Sequence, residues 1–455
     1  MTVELSDEQQ RLFDQMEGTN AHMFITGRAG TGKSYLLRHF TETTEKKVAV
    51  CAPTGVAALN VEGQTIHSLF FLPIGLIANQ DLTITAPRRK MLQAIETLVI
   101  DEISMVNADV MDGIDRVLRE ARHRRREPFG GVQVIMFGDP YQLAPVPPRT
   151  AEERQYFADN YASTWFFDAK VWRESGLVSC ELSEIHRQRD DDFKRMLNAV
   201  RHGRVDEEIG TALNRAGSRP APDSDIMTLC TTNEKVNKIN ADRLAMLGGR
   251  ALTAEADING DFKVNSFPAE ENLTLKVGAR VMFLRNDSEQ RWVNGTMGTV
   301  SHLGEKIKVI VEDRFGDEHE YEVEPATWEQ YQYTYDNESK ELTRNVVAEF
   351  TQFPLRLAWA VTIHKSQGQT YDRALIDLGN RAFAPGQTYV ALSRITSLEG
   401  LYLTRGLRPS DIIVDPDVER FMGDLESETS PALSRNSREP ESSTFFTPDE
   451  APLPF

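Results

Sequence analysis

The stretch "FITGRAGTGKSYLL", Phe24 to Leu37, decides the fold. An apolar run meets a glycine-rich break, then Lys33-Ser34, then a helical pattern. The break fits G-x-x-x-x-G-K-[ST], with Gly27, Gly32, Lys33 and Ser34 in the fixed places and Gly30 and Thr31 between them. Glycines let successive backbone N–H groups curl into one concavity. With the N-terminal end of the following helix, that concavity attracts phosphate oxygens. Lys33 then reaches the β- and γ-phosphates of a nucleoside triphosphate such as ATP, and the Ser34 hydroxyl ligates Mg²⁺. The flanks agree: "HMFIT" reads as a buried strand and "SYLLRHF" as a helix. A glycine turn with a nearby lysine is the bland alternative, and it leaves the order strand, loop, helix unexplained.

Outward from the loop, short apolar runs alternate with helical patterns. "VAVCAP" (Val48 to Pro53), "TLVIDE" (Thr97 to Glu102) and "VQVIMFGD" (Val132 to Asp139) read as strands of a parallel sheet buried on both faces. Ligands of such sheets bind at the carboxyl ends of the strands. A second α/β pattern starts near Leu177, with candidate strands in "DIMTLCTTN" and "RALIDLG" and a helix in "DDFKRMLNAVRHG". From about Leu273 to Phe350 the texture changes to short β-branched runs punctuated by glycine, as in a small antiparallel barrel. The expected organisation is α/β: a first parallel-sheet lobe over 1–176, a second over 177–274 and 351–423, and a β module inserted at 275–350. A disordered acidic tail is expected over 424–455.

The 455 residues suffice for two or three domains. No run of about 18 apolar residues is present, so no membrane span is expected. "MTVELSDEQQRLF" lacks the marks of a secretory signal. Cys51, Cys180 and Cys230 are far apart without metal spacing, and read as reduced thiols of a cytoplasmic protein. The formal charge of −18 argues against nucleic acid on its face. An acidic protein can still line one groove with basic residues. Part of the acidity also sits in the tail, where residues 424–455 carry seven acids against two arginines. The body stays acidic without it.

Asp101-Glu102 end an apolar strand. Two adjacent carboxylates there suit two tasks: Asp101 holding Mg²⁺, and Glu102 polarising an attacking water. "FGDPYQLAPV" sets Asp139 and Gln142 after the next strand, where a Gln side chain can bond the γ-phosphate or the water.

On these segments the chain resembles a superfamily 1B DNA helicase of the Pif-one and RecD-like group. "APTGVAALNVEGQTIHSLF" is similar to motif Ia and "DEISMVNADVMDGIDRVLREAR" to motif II with the Pif-one signature helix. "PFGGVQVIMFGDPYQLAPV", "LSEIHRQRDDDFKRMLNAVRHG", "AVTIHKSQGQTYD" and "TYVALSRITSLEGLYL" are similar to motifs III, IV, V and VI, and "LSDEQ" to the adenine-reading Q motif. The resemblance spans about Leu5 to Leu403. It implies two RecA-like lobes and an SH3-like inserted module. It also implies that Gln9 reads adenine and that Arg187 and Arg394 reach the γ-phosphate. Gly368 would let the motif V backbone approach nucleotide or DNA. Thr54, His67, His364, Lys365 and Ser366 would line the path of single-stranded DNA. A duplex-separating pin falls within 71–87, with no obvious wedge residue. "RHRRRE" (Arg122 to Glu127) either complements a helix C-terminus or touches a DNA tail.

The leading expectation is an ATP-dependent motor moving 5′ to 3′ on single-stranded DNA and unwinding tailed duplex. A nucleotide-controlled clamp that does not unwind, and an RNA remodeller, are the rivals. The closing "FFTPDEAPLPF" resembles the acidic, Pro-Phe-ending tip of bacterial single-stranded-DNA-binding proteins. It reads as a docking tip for replication or repair proteins, a segment folding over the strand path, or a solubilising tail.

Overall fold

The computed structural model describes residues 5–433, apart from residues 74, 78–83, 186, 189, 223–225, 263, 314–315 and 337–340. The first sheet holds six strands: β1 (Met23–Gly27), β2 (Val48–Ala52), β3 (Gln64–Thr65), β4 (Thr97–Ile100), β5 (Gln133–Phe137) and β6 (Val178–Leu182). They run parallel in the order β3-β2-β4-β5-β1-β6. Every residue of β1, β4 and β5 is buried, which is why these strands read as unbroken apolar runs. The helix Lys33–Thr43 lays Leu36, Leu37 and Phe40 against Ile25, Val99, Ile135 and Phe137. Each such side chain, fully buried, contributes about 1.5–3 kcal/mol. The parallel order brings Gly27, Pro53-Thr54, Asp101-Glu102 and Gly138-Asp139 to one sheet edge.

The boundary expected at 176 needs correction. β6 pairs with β1 from Met23↔Val178 to Gly27↔Leu182 and so completes the first sheet. As an edge strand with only Leu182 buried, it lacks the apolar run that marks its neighbours. The second sheet has four parallel strands, in the order Ala360–Thr362, Met227–Cys230, Ala374–Asp377, Leu401–Leu403. Beside it the helix Asp191–Arg201 starts at the Asp190 N-cap and buries Phe193, Met196, Leu197 and Val200.

The β-rich region is two structures rather than one barrel over 275–350. A five-stranded antiparallel sheet runs from Arg280 to Leu357, closing with Leu355–Leu357 beside Arg280–Phe283. Phe283 stacks on Trp292 in its core, with ring centroids 4.3 Å apart. The long strands Ala326–Asp336 and Glu341–Gln352 form a hairpin that pairs instead with Asp257–Gly260. Alternating side chains signal strands but not which sheet they join. The hairpin meets the first lobe. Tyr333 Oη accepts the Val50 N–H of β2 at 3.1 Å, and Arg344 donates to the Glu62 carbonyl at 2.7 Å. Ser266 packs so closely on Gly55 that a Cβ there would lie 2.3 Å from its hydroxyl.

The expected start of the tail shifts. A helix, Pro416–Leu433, runs ten residues into the segment expected to be disordered from 424. Asp417 and Glu419 in its first turn complement the helix dipole. Residues 434–455 lie outside the described residues, as do 78–83 of the expected pin. No described helix is long and apolar enough to cross a membrane.

Candidate nucleotide site and nucleic-acid interface

The phosphate loop follows β1 directly. Gly30 and Gly32 have φ of 87° and 82°, and Gly32 is the N-cap of the helix Lys33–Thr43. A Cβ at Gly30 would also meet the Arg187 Cβ at 2.5 Å, so only glycine fits. Lys33 Nζ donates to the carbonyls of Gly27 at 2.6 Å and Arg28 at 3.1 Å, and burial lowers its pKa. Thr31 is buried, its hydroxyl donating to the Arg28 carbonyl, while Ser34 is exposed. Gln9 packs behind the loop. Its Nε2 donates to the Thr31 carbonyl at 3.4 Å and its Oε1 accepts the Ser6 N–H.

Asp101 and Glu102 stand at the end of β4, half-buried. Glu102 has φ 50°, a left-handed conformation that costs a non-glycine residue of order 1–3 kcal/mol. Burial, then the charge of Glu102, pushes Asp101 up to about 7. Burial raises Glu102 as well, against the pull of Lys33 and Arg394. Two adjacent acids whose charge burial disfavours, with the exposed Ser34 at the start of the following helix, supply the kind of oxygen donors that a divalent cation takes.

Gln142 is buried beyond β5. Its Nε2 donates to Asp139 Oδ2 at 3.3 Å and its Oε1 accepts from Gln367 Nε2 at 3.5 Å. Arg187 lies across the phosphate loop, donating to the carbonyls of Ser393 at 3.2 Å and Gly368 at 3.4 Å. Burial, then the charge of Arg394, brings its pKa down to about 9. Arg394 is 2% exposed and lowered by burial too, with Glu102 among the charges that oppose the shift. Lys33, Arg187 and Arg394 thus converge as three cations that burial disfavours.

The expected strand-path residues divide. His364 and Lys365 are exposed and His67 half-buried. Thr54 is half-buried, with its hydroxyl capping the Ala57 N–H. Ser366 is the correction: it is fully buried and its hydroxyl donates to the Ile363 carbonyl at 2.8 Å, bracing the turn rather than facing a strand. Gly368 has φ 78° with no protein atom near its absent Cβ, so conformation, not crowding by the protein, requires glycine there. In "RHRRRE", Arg122 donates to the carbonyls of Leu92, Gln93 and Ile95, which close the neighbouring helix Ala86–Ala94 rather than the helix that the run follows.

Three contributors escaped the sequence reading. Arg201 donates to Asp139 Oδ1 at 3.1 Å, Gln367 meets Gln142, and Tyr389 sits within 3.5 Å of Asp139. Arg201 reads as one more charge in a helix. Gln367 and Tyr389 lay inside quoted motifs, but their partners are more than two hundred residues away.

The family model described as PIF1-like helicase matches residues 4–211, and that described as DNA helicase Pif1, 2B domain, matches 261–303. An ATP-dependent DNA helicase Pif1 of Bdellovibrio bacteriovorus is 35% identical over 435 residues, covering 93% of each chain. The human ATP-dependent DNA helicase PIF1 is 35% identical over 414 residues, covering 89% of this chain and 61% of that one. Among solved structures, Bacteroides Pif1 in complex with ADP-AlF4 matches at 37% identity and TM-score 0.85, covering 94% of this chain and 98% of that one. The same Bacteroides protein bound to single-stranded DNA matches over the same shares at TM-score 0.67. With identity above one third across nearly the whole length of a relative, this chain belongs to the Pif1-like helicase family.

Proposed function

We propose that this ATP-dependent DNA helicase moves 5′ to 3′ along single-stranded DNA and separates the duplex ahead of it. The observation that carries the ATPase half is the placing of Lys33 and Arg187 against the phosphate loop, with Arg394 close enough to Arg187 and Glu102 to act on their charge. Buried cations held below their ordinary pKa gain most from an anion, and a triphosphate supplies it. In this reading the loop Gly27–Ser34 cradles the phosphates, Gln9 lies toward the base, and Glu102 takes the proton of the attacking water. Gln142 senses the γ-phosphate, and Arg187 and Arg394 neutralise charge as it develops. Ser34 and Asp101 would hold Mg²⁺, which would neutralise phosphate charge.

The DNA half rests on kinship and on exposed His364 and Lys365 at the turn that also holds Gln367 and Gly368. Imidazole, ammonium and backbone groups suit sequence-blind phosphate contact. We read the first lobe as ending with β6, and the five-stranded sheet as an SH3-like module that steers the strand. Free thiols at Cys51, Cys180 and Cys230 suit a cytoplasmic protein. For partners in replication or repair we propose residues 449–455 as the contact, on their acidic and Pro-Phe composition. Deleting them should abolish capture of proteins that bind single-strand-binding tips.

Strand displacement on 5′- and 3′-tailed duplexes, in DNA and in RNA, tests the main reading. ATP-dependent displacement of the 5′-tailed DNA substrate alone is the expected result. Displacement from the 3′ tail overturns the direction, hydrolysis without displacement favours the clamp, and an RNA preference favours the remodeller.

A further inference from the structure

Tyr389 sits in the middle of the short helix Gln387–Leu392 and is 4% exposed. Its hydroxyl oxygen accepts the N–H of Ala29, inside the phosphate loop, at 3.1 Å. Its own proton points to Asp139 Oδ2 at 3.5 Å. Burial, then the charge of Asp139, pushes the phenol up to about 12, so it stays protonated and keeps both roles near neutral pH. Asp139 is a junction. It also accepts Arg201 Nη2 at 3.1 Å, the Tyr141 N–H at 3.2 Å and Gln142 Nε2 at 3.3 Å.

The two ends of the helix matter as much as its middle. At the start, Gly386 has φ 73° and a Cβ there would lie 2.1 Å from the Gln142 carbonyl oxygen, so the helix is seated on the backbone beside the γ-phosphate sensor. At the end, Arg394 folds back onto it, with Nε on the Val390 carbonyl at 3.0 Å and Nη2 on the Ser393 hydroxyl at 2.9 Å. The helix with its two flanks, Gly386 to Arg394, therefore touches the phosphate loop, rests on the sensor and leads into the arginine finger.

We propose that Tyr389 is a positioning residue of ATP hydrolysis: through Ala29 and Asp139 its hydroxyl sets where Arg394 stands relative to the phosphate loop. The proposal rests on the ATPase reading above. Removing that one oxygen leaves a buried N–H without its acceptor and Asp139 with one donor fewer. The helix loses its tie to the loop while the ring still fills its place. Arg394 acts in the transition state, so its displacement lowers kcat. Ground-state affinity, set by the remaining loop N–H groups and Lys33, is kept.

The test is Tyr389→Phe in the full chain, with DNA-stimulated phosphate release and the Kd of a fluorescent ATP analogue measured beside wild type. The expected result is a fall in kcat of about tenfold or more with Kd within about twofold. An unchanged kcat overturns the proposal. So does a parallel loss of kcat and affinity, which is what a merely structural tyrosine gives. A wild-type chain that hydrolyses no ATP fails the underlying reading and the proposal with it, and is told apart because it needs no variant. If Tyr389→Phe does not fold, 3-fluorotyrosine at position 389 keeps the shape and alters the hydroxyl as donor and acceptor. A changed kcat at constant Kd then supports the proposal, and an unchanged one overturns it.

Discussion

Lys33 shows how much one residue reveals by itself. Its ammonium rests on two carbonyls of its own loop, and burial weakens its hold on the proton. Lys33→Ala should weaken ATP binding by about 10–100-fold, the scale of one charge-assisted contact, as read by a fluorescent analogue. Glu102→Gln should bind ATP as wild type does and lose turnover by about 10²–10⁴, since it removes a base and not a phosphate contact. Arg394→Ala should cut kcat by about 10³–10⁵ at nearly constant affinity, and Arg394→Lys should restore little, because an ammonium lacks the planar fork. Loss of affinity with normal kcat would refute the finger role. These residues were legible because the glycine spacing and the paired acids are local patterns. Tyr389 was not, since its partner Ala29 lies 360 positions earlier. Ser366 misled for a related reason: a serine beside His364 and Lys365 reads as a phosphate contact, but its own turn takes the hydroxyl.

Elements show a similar division. Buried on both faces, β1, β4 and β5 announce themselves, while β6 at the edge does not. The helix Pro416–Leu433 was hidden by the acids and serines of its second half, which match a solvated tail in composition. The support beneath the helix Gln387–Leu392 was equally silent. Asp411 is fully buried, accepts from Arg405 Nη1 and Nη2 at 2.7 and 2.8 Å, and accepts the N–H groups of Ala382 and Arg408. Its carbonyl accepts the Thr388 hydroxyl. Burial works to raise the carboxyl, but these donors outweigh it and hold it at about 2. A depressed acid stabilises the fold above its unfolded pKa, near 3.9, and that gain is lost as pH falls through about 2. Asp411→Asn should therefore cost about 2 kcal/mol at pH 7. Denaturant unfolding of both proteins at pH 7 and pH 3 should show the gap narrowing at the lower value. A gap independent of pH would mean that shape, not charge, sets the role of Asp411.

Over the whole molecule, Arg187 joins the nucleotide site to motifs V and VI, touching Gly30, Gly368 and Ser393, while Gln367 reaches Gln142 from the turn that exposes His364. Single-stranded DNA should accordingly raise the ATPase rate strongly, and His364→Ala should increase the DNA needed for half-stimulation by about fivefold, one hydrogen bond's worth. Stimulation with unaltered DNA demand would place His364 away from the strand. The hairpin 326–352 carries a consequence of another kind. β3 covers β2 only at Cys51 and Ala52, and the neighbouring donor, the Val50 N–H, is met by Tyr333. The hairpin is thus a shield over a bare sheet margin. Bare margins invite pairing between molecules. A shortened chain lacking the hairpin would be a self-associating protein before it was a weaker helicase, and its light scattering should climb with concentration while that of the single variant Tyr333→Phe stays flat.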